Sequence, residues 1–109
     1  MTKKEAQVKD FVLGKKYELS LVYCGNATSR RLNRTYRGKD EATNVLAFPL
    51  SKTSGEIFIN KSKLKGFAPE FLFIHGLLHL KGLGHGATME REEHKLLKKF
   101  YGASVRSRS

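Results

Sequence analysis

The stretch PEFLFIHGLLHLKGLGH, residues 69–85, places three of the chain's four histidines in a run that is otherwise almost wholly apolar. Pro69 suits the first turn of a helix, where its missing N–H costs nothing. Gly82 suits the left-handed residue that closes one. Between them the apolar side chains fall on nearly every face, which predicts a buried helix.

Outward from this helix, the last helix begins near Thr88. Glu90, Glu92 and Glu93 come early in it and Lys98 and Lys99 late, which complements the helix dipole. ASVRSRS, residues 103–109, reads as a flexible basic tail. Upstream, EIFIN (56–60) and NVLAFP (44–49) read as strands. NVLAFP is apolar on both alternating sets, as expected of a strand buried on two faces. Pro49 is expected to end it, and the short link SKTSG favours antiparallel pairing. Residues 28–36 read as a helix with Leu32 and Tyr36 inward and arginines outward. YELSLVY (17–23) alternates as a strand. Thr2 and Glu5 form a capping box that opens a helix over residues 3–13, with Val8, Phe11 and Val12 on one face. The order αβαββαα predicts an α/β (α+β) fold. It is a single small domain over residues 1–102, with a mixed sheet of three or more strands and helices packed on it.

A chain of 109 residues can bury one core. Its 39% hydrophobic and 28% charged residues fit a globular class. The longest apolar stretch, Phe71 to Leu80, is broken by His75, Gly76 and His79 and falls far short of the roughly 20 residues that span a bilayer. MTKKEAQVKD has no apolar signal region, and the single cysteine, Cys24, can form no intrachain disulfide. A cytoplasmic location without a membrane partner is expected. The net charge of +11 predicts attraction to a polyanion.

The histidines follow the spacing H-E-x-x-H-x-x-G-x-x-H of zinc peptidases, with His75, His79, Gly82 and His85 in place. The glutamate is missing, because position 76 is Gly. His75 and His79 share a helical face at i, i+4, and a turn at Gly82 can return His85 as a third ligand. Three histidines with an open fourth position suit a catalytic zinc, one ion per chain. Copper, nickel and iron also accept imidazole. His94, among Glu and Lys, reads as a solvated surface residue. Gly76 costs a helix roughly 1 kcal/mol relative to alanine. That cost implies close approach by a neighbour, or room beside the metal. It also removes the peptidase base, which makes a peptidase a weak reading. Zinc alone still lowers the pKa of water toward neutrality, so a substrate that needs charge neutralisation, such as a phosphodiester, fits better.

RRLNRTYRGKDEATNVLAF (30–48) is the second informative stretch. Arg30, Arg34 and Arg37 form a stripe, and Arg37, Gly38 and Lys39 lie in a turn that can hold phosphate oxygens. Arg30 and Arg31 read better as a solvated helical face.

With LNRTYRGKDEATNVLAFP, GEIFI and HGLLHLKGLGH in order, residues 17–101 resemble the YbeY family, the metal-dependent ribosomal RNA maturation factors of bacteria. The family's HGxLHLxGYDH is matched at His75, Gly76, Leu78, His79, Leu80, Gly82 and His85. Its YRGKD arginine falls on Arg37, with Lys39 and Asp40 beside it. Its TNVLSFP is matched by Thr43, Asn44, Val45, Leu46, Phe48 and Pro49. Leu83-Gly84 stands in place of the family's Tyr-Asp, Glu56 in place of its usual Asp, and the N-terminus is short by about one strand.

The resemblance implies a zinc-dependent single-strand endoribonuclease acting in 3′-end maturation of small-subunit (16S) ribosomal RNA and in ribosome quality control. Its partners would be ribosomal RNA and the small subunit with its proteins. Zinc would sit on His75, His79 and His85, and Arg37 would face it across a cleft as the catalytic arginine. Arg34, Lys39 and Asn44 are expected to contact RNA. The Leu83-Gly84 departure is expected to remove a partner that steadies His85. The competing expectation is a ribosome-assembly factor that binds RNA around a structural zinc.

Overall fold

In the computed structural model, which describes residues 1–102, Thr2 opens the first helix with the expected reciprocal bonds. Glu5 N–H donates to Thr2 Oγ1 at 3.1 Å, and Thr2 N–H donates to Glu5 Oε1 at 2.7 Å. Seven elements follow in order: α1 (Lys3–Leu13), β1 (Glu18–Cys24), α2 (Asn26–Arg37), β2 (Val45–Ser51), β3 (Ser54–Asn60), α3 (Pro69–Lys81) and α4 (Ala87–Tyr101). The tail expected at residues 103–109 lies outside the described residues.

The three strands form one mixed sheet in the order β1-β3-β2. β3 runs parallel to β1, with Leu21 opposite Ile57, and antiparallel to β2, with Ala47 opposite Ile57. Only Lys52 and Thr53 separate β2 from β3, and a link that short permits only a hairpin. The expected small α/β domain is observed.

α3 is the centre of the core. Phe71, Leu72, Phe73, Ile74, Leu77 and Leu78 are all buried, which accounts for its apolar character on every side. It packs against β2 and β3 and against α1 and α4. Gly76 sits where α3 meets the sheet. A Cβ there would lie 2.9–3.2 Å from the Cδ1, Cγ2 and Cγ1 atoms of Ile57. The glycine is therefore needed for close helix–sheet approach, and a peptidase-type glutamate has no room.

Four local expectations are corrected. Pro49 does not end β2, which continues to Ser51 with a register shift between Pro49 and Ser51. β2 is an edge strand, so Pro49 can lack an N–H without breaking the interior of the sheet. Nor is β2 buried on both faces, since only Leu46 is fully buried. Tyr36 is not inward but 66% exposed, with its ring 5.0 Å from that of Phe48. The buried face of α2 is polar instead, formed by Ser29 and Asn33. Phe11 likewise lies outside the core at 60% exposure, edge-on to Phe100.

Candidate metal centre and cleft

The polar face of α2 fixes the segment that leads into β2. Ser29 Oγ donates to Thr43 O at 2.8 Å and accepts from Thr43 N–H at 2.9 Å. Asn33 Nδ2 donates to Glu41 O at 2.9 Å. From the other side, buried Asn60 donates through Nδ2 to Thr43 O at 3.1 Å, and its backbone N–H donates to Asn44 O at 2.8 Å. Buried polar groups need partners; Ser29 and Asn60 find theirs here, whereas Asn33 Oδ1 has none among the described residues. Gly38, at φ 70°, closes α2 with its N–H on Arg34 O. Arg37 is thereby held in the last turn of α2, and Asn44 at the mouth of β2.

Facing them, α3 presents His75 and His79. α3 ends at Gly82, φ 107°, whose N–H donates to His79 O at 2.9 Å, while Leu83 N–H donates to Leu78 O at 3.0 Å. That turn brings His85 back, and one ligand atom from each of His75, His79 and His85 lies within 4.8 Å of the others. The three expected ligands are brought together.

Two contacts orient the rings. His75 Nδ1 donates to a carboxylate oxygen of Glu93, a buried residue of α4. His79 Nδ1 donates to Leu83 O at 3.1 Å. Carboxylate and carbonyl oxygens only accept, so both Nδ1 atoms carry protons and the two Nε2 atoms are left facing each other. Those Nε2 atoms lie 2.9 Å apart. Two imidazole lone pairs at that distance repel unless a proton or a cation lies between them. The spacing is close to the roughly 3.3 Å set by two ligands about 2.0–2.1 Å from a tetrahedral ion. Burial pushes the pKa of His79 below its ordinary value, with nearby His75, His85 and Arg37 adding to the effect and the Leu83 carbonyl opposing it. A neutral ring is the form that binds metal. The donor set fits a metal ion.

Glu93 is the member of this cluster that the sequence alone does not reveal, since its place early in α4 reads as a complement to the helix dipole. The available signal was its place among Met89, Leu96 and Leu97, the buried stripe of α4. A carboxylate on an apolar stripe requires a partner. His85 is exposed and has ring contacts with His75 and His79 but no hydrogen bond among the described residues. The Leu83-Gly84 departure spares His79, whose partner at position 83 is a backbone carbonyl.

A cleft of about 440 Å³ joins the histidines to Arg37, Asn44 and Tyr36. Arg37 makes no ion pair or hydrogen bond among the described residues, which leaves its five donors for a ligand. Arg34 and Lys39 are exposed and do not line this cleft. Arg30 forms a two-pronged pair with Asp40 at 2.8 and 3.0 Å, and Arg34 lies 3.6 Å from the same carboxylate. The Arg30 guanidinium holds the Asp40 carboxyl below its usual range. His94 is exposed, as expected. No helix among the described residues is long and apolar enough to cross a membrane.

Comparison with known proteins gives a consistent result. The solution structure of TM1509 from Thermotoga maritima superposes with a TM-score of 0.63, covering 92% of this chain and 81% of that one at 23% identity, which establishes the fold. A curated Endoribonuclease YbeY from Alkaliphilus metalliredigens is 38% identical, over 71% of this chain and 63% of the relative. Another from Aromatoleum aromaticum is 38% identical, over 73% of this chain and 60% of the relative. A third from Neorickettsia sennetsu is 35% identical, over 79% and 75%. The chain thus spans about three-fifths of the first two relatives and three-quarters of the third. The family model described as Endoribonuclease YbeY matches residues 2–101, and the chain belongs to that family.

Proposed function

We propose that this chain is a zinc-dependent single-strand endoribonuclease, acting in the cytoplasm on the 3′ end of small-subunit ribosomal RNA and in ribosome quality control. The small subunit and its proteins would be its partners. The observation that carries this reading is the shared cleft: Arg37, with its guanidinium unengaged, lines the same cavity as His75, His79 and His85.

His75, His79 and His85 would hold the ion, which when bound supplies a Lewis acid for phosphodiester hydrolysis. The rest is done by the chain itself. Arg37 binds phosphate oxygens through its planar fork and neutralises charge as it develops. Glu93 and the Leu83 carbonyl fix the two helical imidazoles, so their Nε2 atoms need little reorganisation. Gly76 keeps the α3 backbone low against Ile57, and no side chain projects from it into the cleft.

The assembly-factor reading with a structural zinc is less well supported. A structural site closes its fourth position with a protein ligand. Among the described residues the cluster contains three histidines and no fourth ligand, and His85 is exposed. The deciding experiment is cleavage of defined single-stranded RNAs by metal-loaded protein. Activity should disappear on chelation, return with zinc and be absent from His79→Ala. Activity that persists in His79→Ala marks a contaminating ribonuclease and removes support for the reading.

A further inference from the structure

The cleft continues past the histidines. A second cavity, of about 280 Å³, adjoins it and shares Asn44, Val45, His75 and His85. Its walls differ in chemistry. Buried Phe71, Leu72 and Met89 and half-buried Phe67 give apolar surface, while Glu90 and Glu93 add carboxylates. The rings of Phe67 and Phe71 stack with centroids 5.1 Å apart and planes 18° apart. Phe71 lies 6.2 Å from His75 at 33°, and His75 lies 5.3 Å from His85 at 33°. A run of rings, the first pair stacked and the next two contacts tilted, therefore leads from this cavity to the histidines.

The charges divide the two cavities. The first has Arg37 and no carboxylate on its walls, and the second has two carboxylates and no lysine or arginine. A phosphate is drawn to the first and repelled from the second. An uncharged planar ring has the opposite preference, since it gains from apolar burial and from stacking on aromatic side chains. The volume lies just below the roughly 300–1,000 Å³ of small-molecule pockets, which suits one ring system and not a dinucleotide. Asn44 lines both cavities, and its amide offers donors and an acceptor where a base edge would meet the phosphate.

We infer that the second cavity binds a single nucleobase, that of the nucleotide adjoining the phosphate held at Arg37 and the histidines. This inference rests on the endoribonuclease reading and deepens it. A base enters only when splayed from its stack, which a single strand permits and a duplex resists. The cavity would therefore contribute to selection of single-stranded RNA, and Phe67 and Phe71 would position the strand.

The test measures binding to the zinc-loaded chain, over times short enough that the strand stays intact. Short RNAs carrying one abasic nucleotide at successive positions are titrated against the wild-type chain, Phe67→Ala and Phe67→Leu. At one position the abasic change should weaken wild-type binding about tenfold, the scale of one lost base stack. Both Phe67 variants should bind intact RNA more weakly and be nearly indifferent to the abasic change at that position. Phe67→Leu keeps apolar volume, so it guards against a folding defect in Phe67→Ala. Independent, multiplying losses from variant and abasic site would overturn the cavity assignment while leaving the nuclease reading in place. Absence of any RNA binding together with absence of cleavage would overturn both.

Discussion

The carboxylate of Glu93 on α4 accepts the Nδ1 proton of His75 on α3, and this contact turns His75 Nε2 toward His79 Nε2, 2.9 Å away. A buried acid on one helix thus sets the direction of a candidate metal ligand on another. Removing it should reduce metal affinity by about 10–100-fold, the usual cost of losing such a partner. Glu93→Ala should show the full loss. Glu93→Gln, which keeps an accepting oxygen and loses the charge, should show less. Zinc titration against a competing chelator measures both, and unchanged affinity in Glu93→Ala would count against the role given to Glu93.

His79 and His85 should differ as ligands. His79 is half-buried and held by the Leu83 carbonyl, whereas His85 is exposed and lacks a hydrogen bond among the described residues. Replacement of His79 by alanine should therefore weaken zinc binding more than replacement of His85. The same titration checks the order, and the reverse order would mean that the loop, not the helix, anchors the ion.

Gly76→Ala sets two effects against each other. Alanine favours a helix by about 1 kcal/mol over glycine. Overpacking typically costs about 1–3 kcal/mol, and a Cβ here would meet three atoms of Ile57 at 2.9–3.2 Å. Ile57 is β-branched and its χ1 cannot turn away freely, so packing wins by about 1 kcal/mol. That corresponds to a fall of roughly 4–8 °C in Tm for a domain of this size. Ile57→Val, which removes the nearest atom, should lessen the penalty in the double variant. A Tm raised by Gly76→Ala alone would show that α3 can shift on the sheet.

Salt should weaken RNA binding. For single strands, each phosphate neutralised contributes a slope of roughly −0.7 in log affinity against log salt. A footprint of three contacts would give about −2, and Arg37→Gln should reduce the slope by about 0.7. Fluorescence anisotropy with a short labelled RNA reads this directly. A flat dependence would separate the +11 charge from RNA recognition.

The fold was legible wherever local chemistry and global packing agree. The Thr2–Glu5 box, Pro69 and Gly82 each mark a helix end through backbone constraints that do not depend on distant contacts, and all three stand in the structure. The cluster of His75, His79 and His85 was legible because helical periodicity and one turn suffice to gather the three rings. Tyr36 and β2 misled for the opposite reason. Apolar residues in a sequence point to burial, but which face is covered depends on what the sheet places beside them, and β2 lies at an edge. Glu93 was hidden because its partner, His75, lies 18 residues away on another helix. Periodicity within α4 could show that this carboxylate faces inward, but not what it meets.

The central claim is that Arg37 and the three histidines act on one phosphate, and Arg37→Glu tests it most directly. Arg37 is exposed and unpaired among the described residues. Exposed charges of this kind are worth about 0–1 kcal/mol to stability, so the variant should fold and carry zinc like the wild type. Arg37→Lys should recover only part of any activity, because it keeps the charge but not the planar fork. The measurement is the rate of single-stranded RNA cleavage by zinc-loaded wild type and Arg37→Glu at equal metal content. The account predicts cleavage by the wild type and none above background by Arg37→Glu. Equal rates from the two proteins would contradict it.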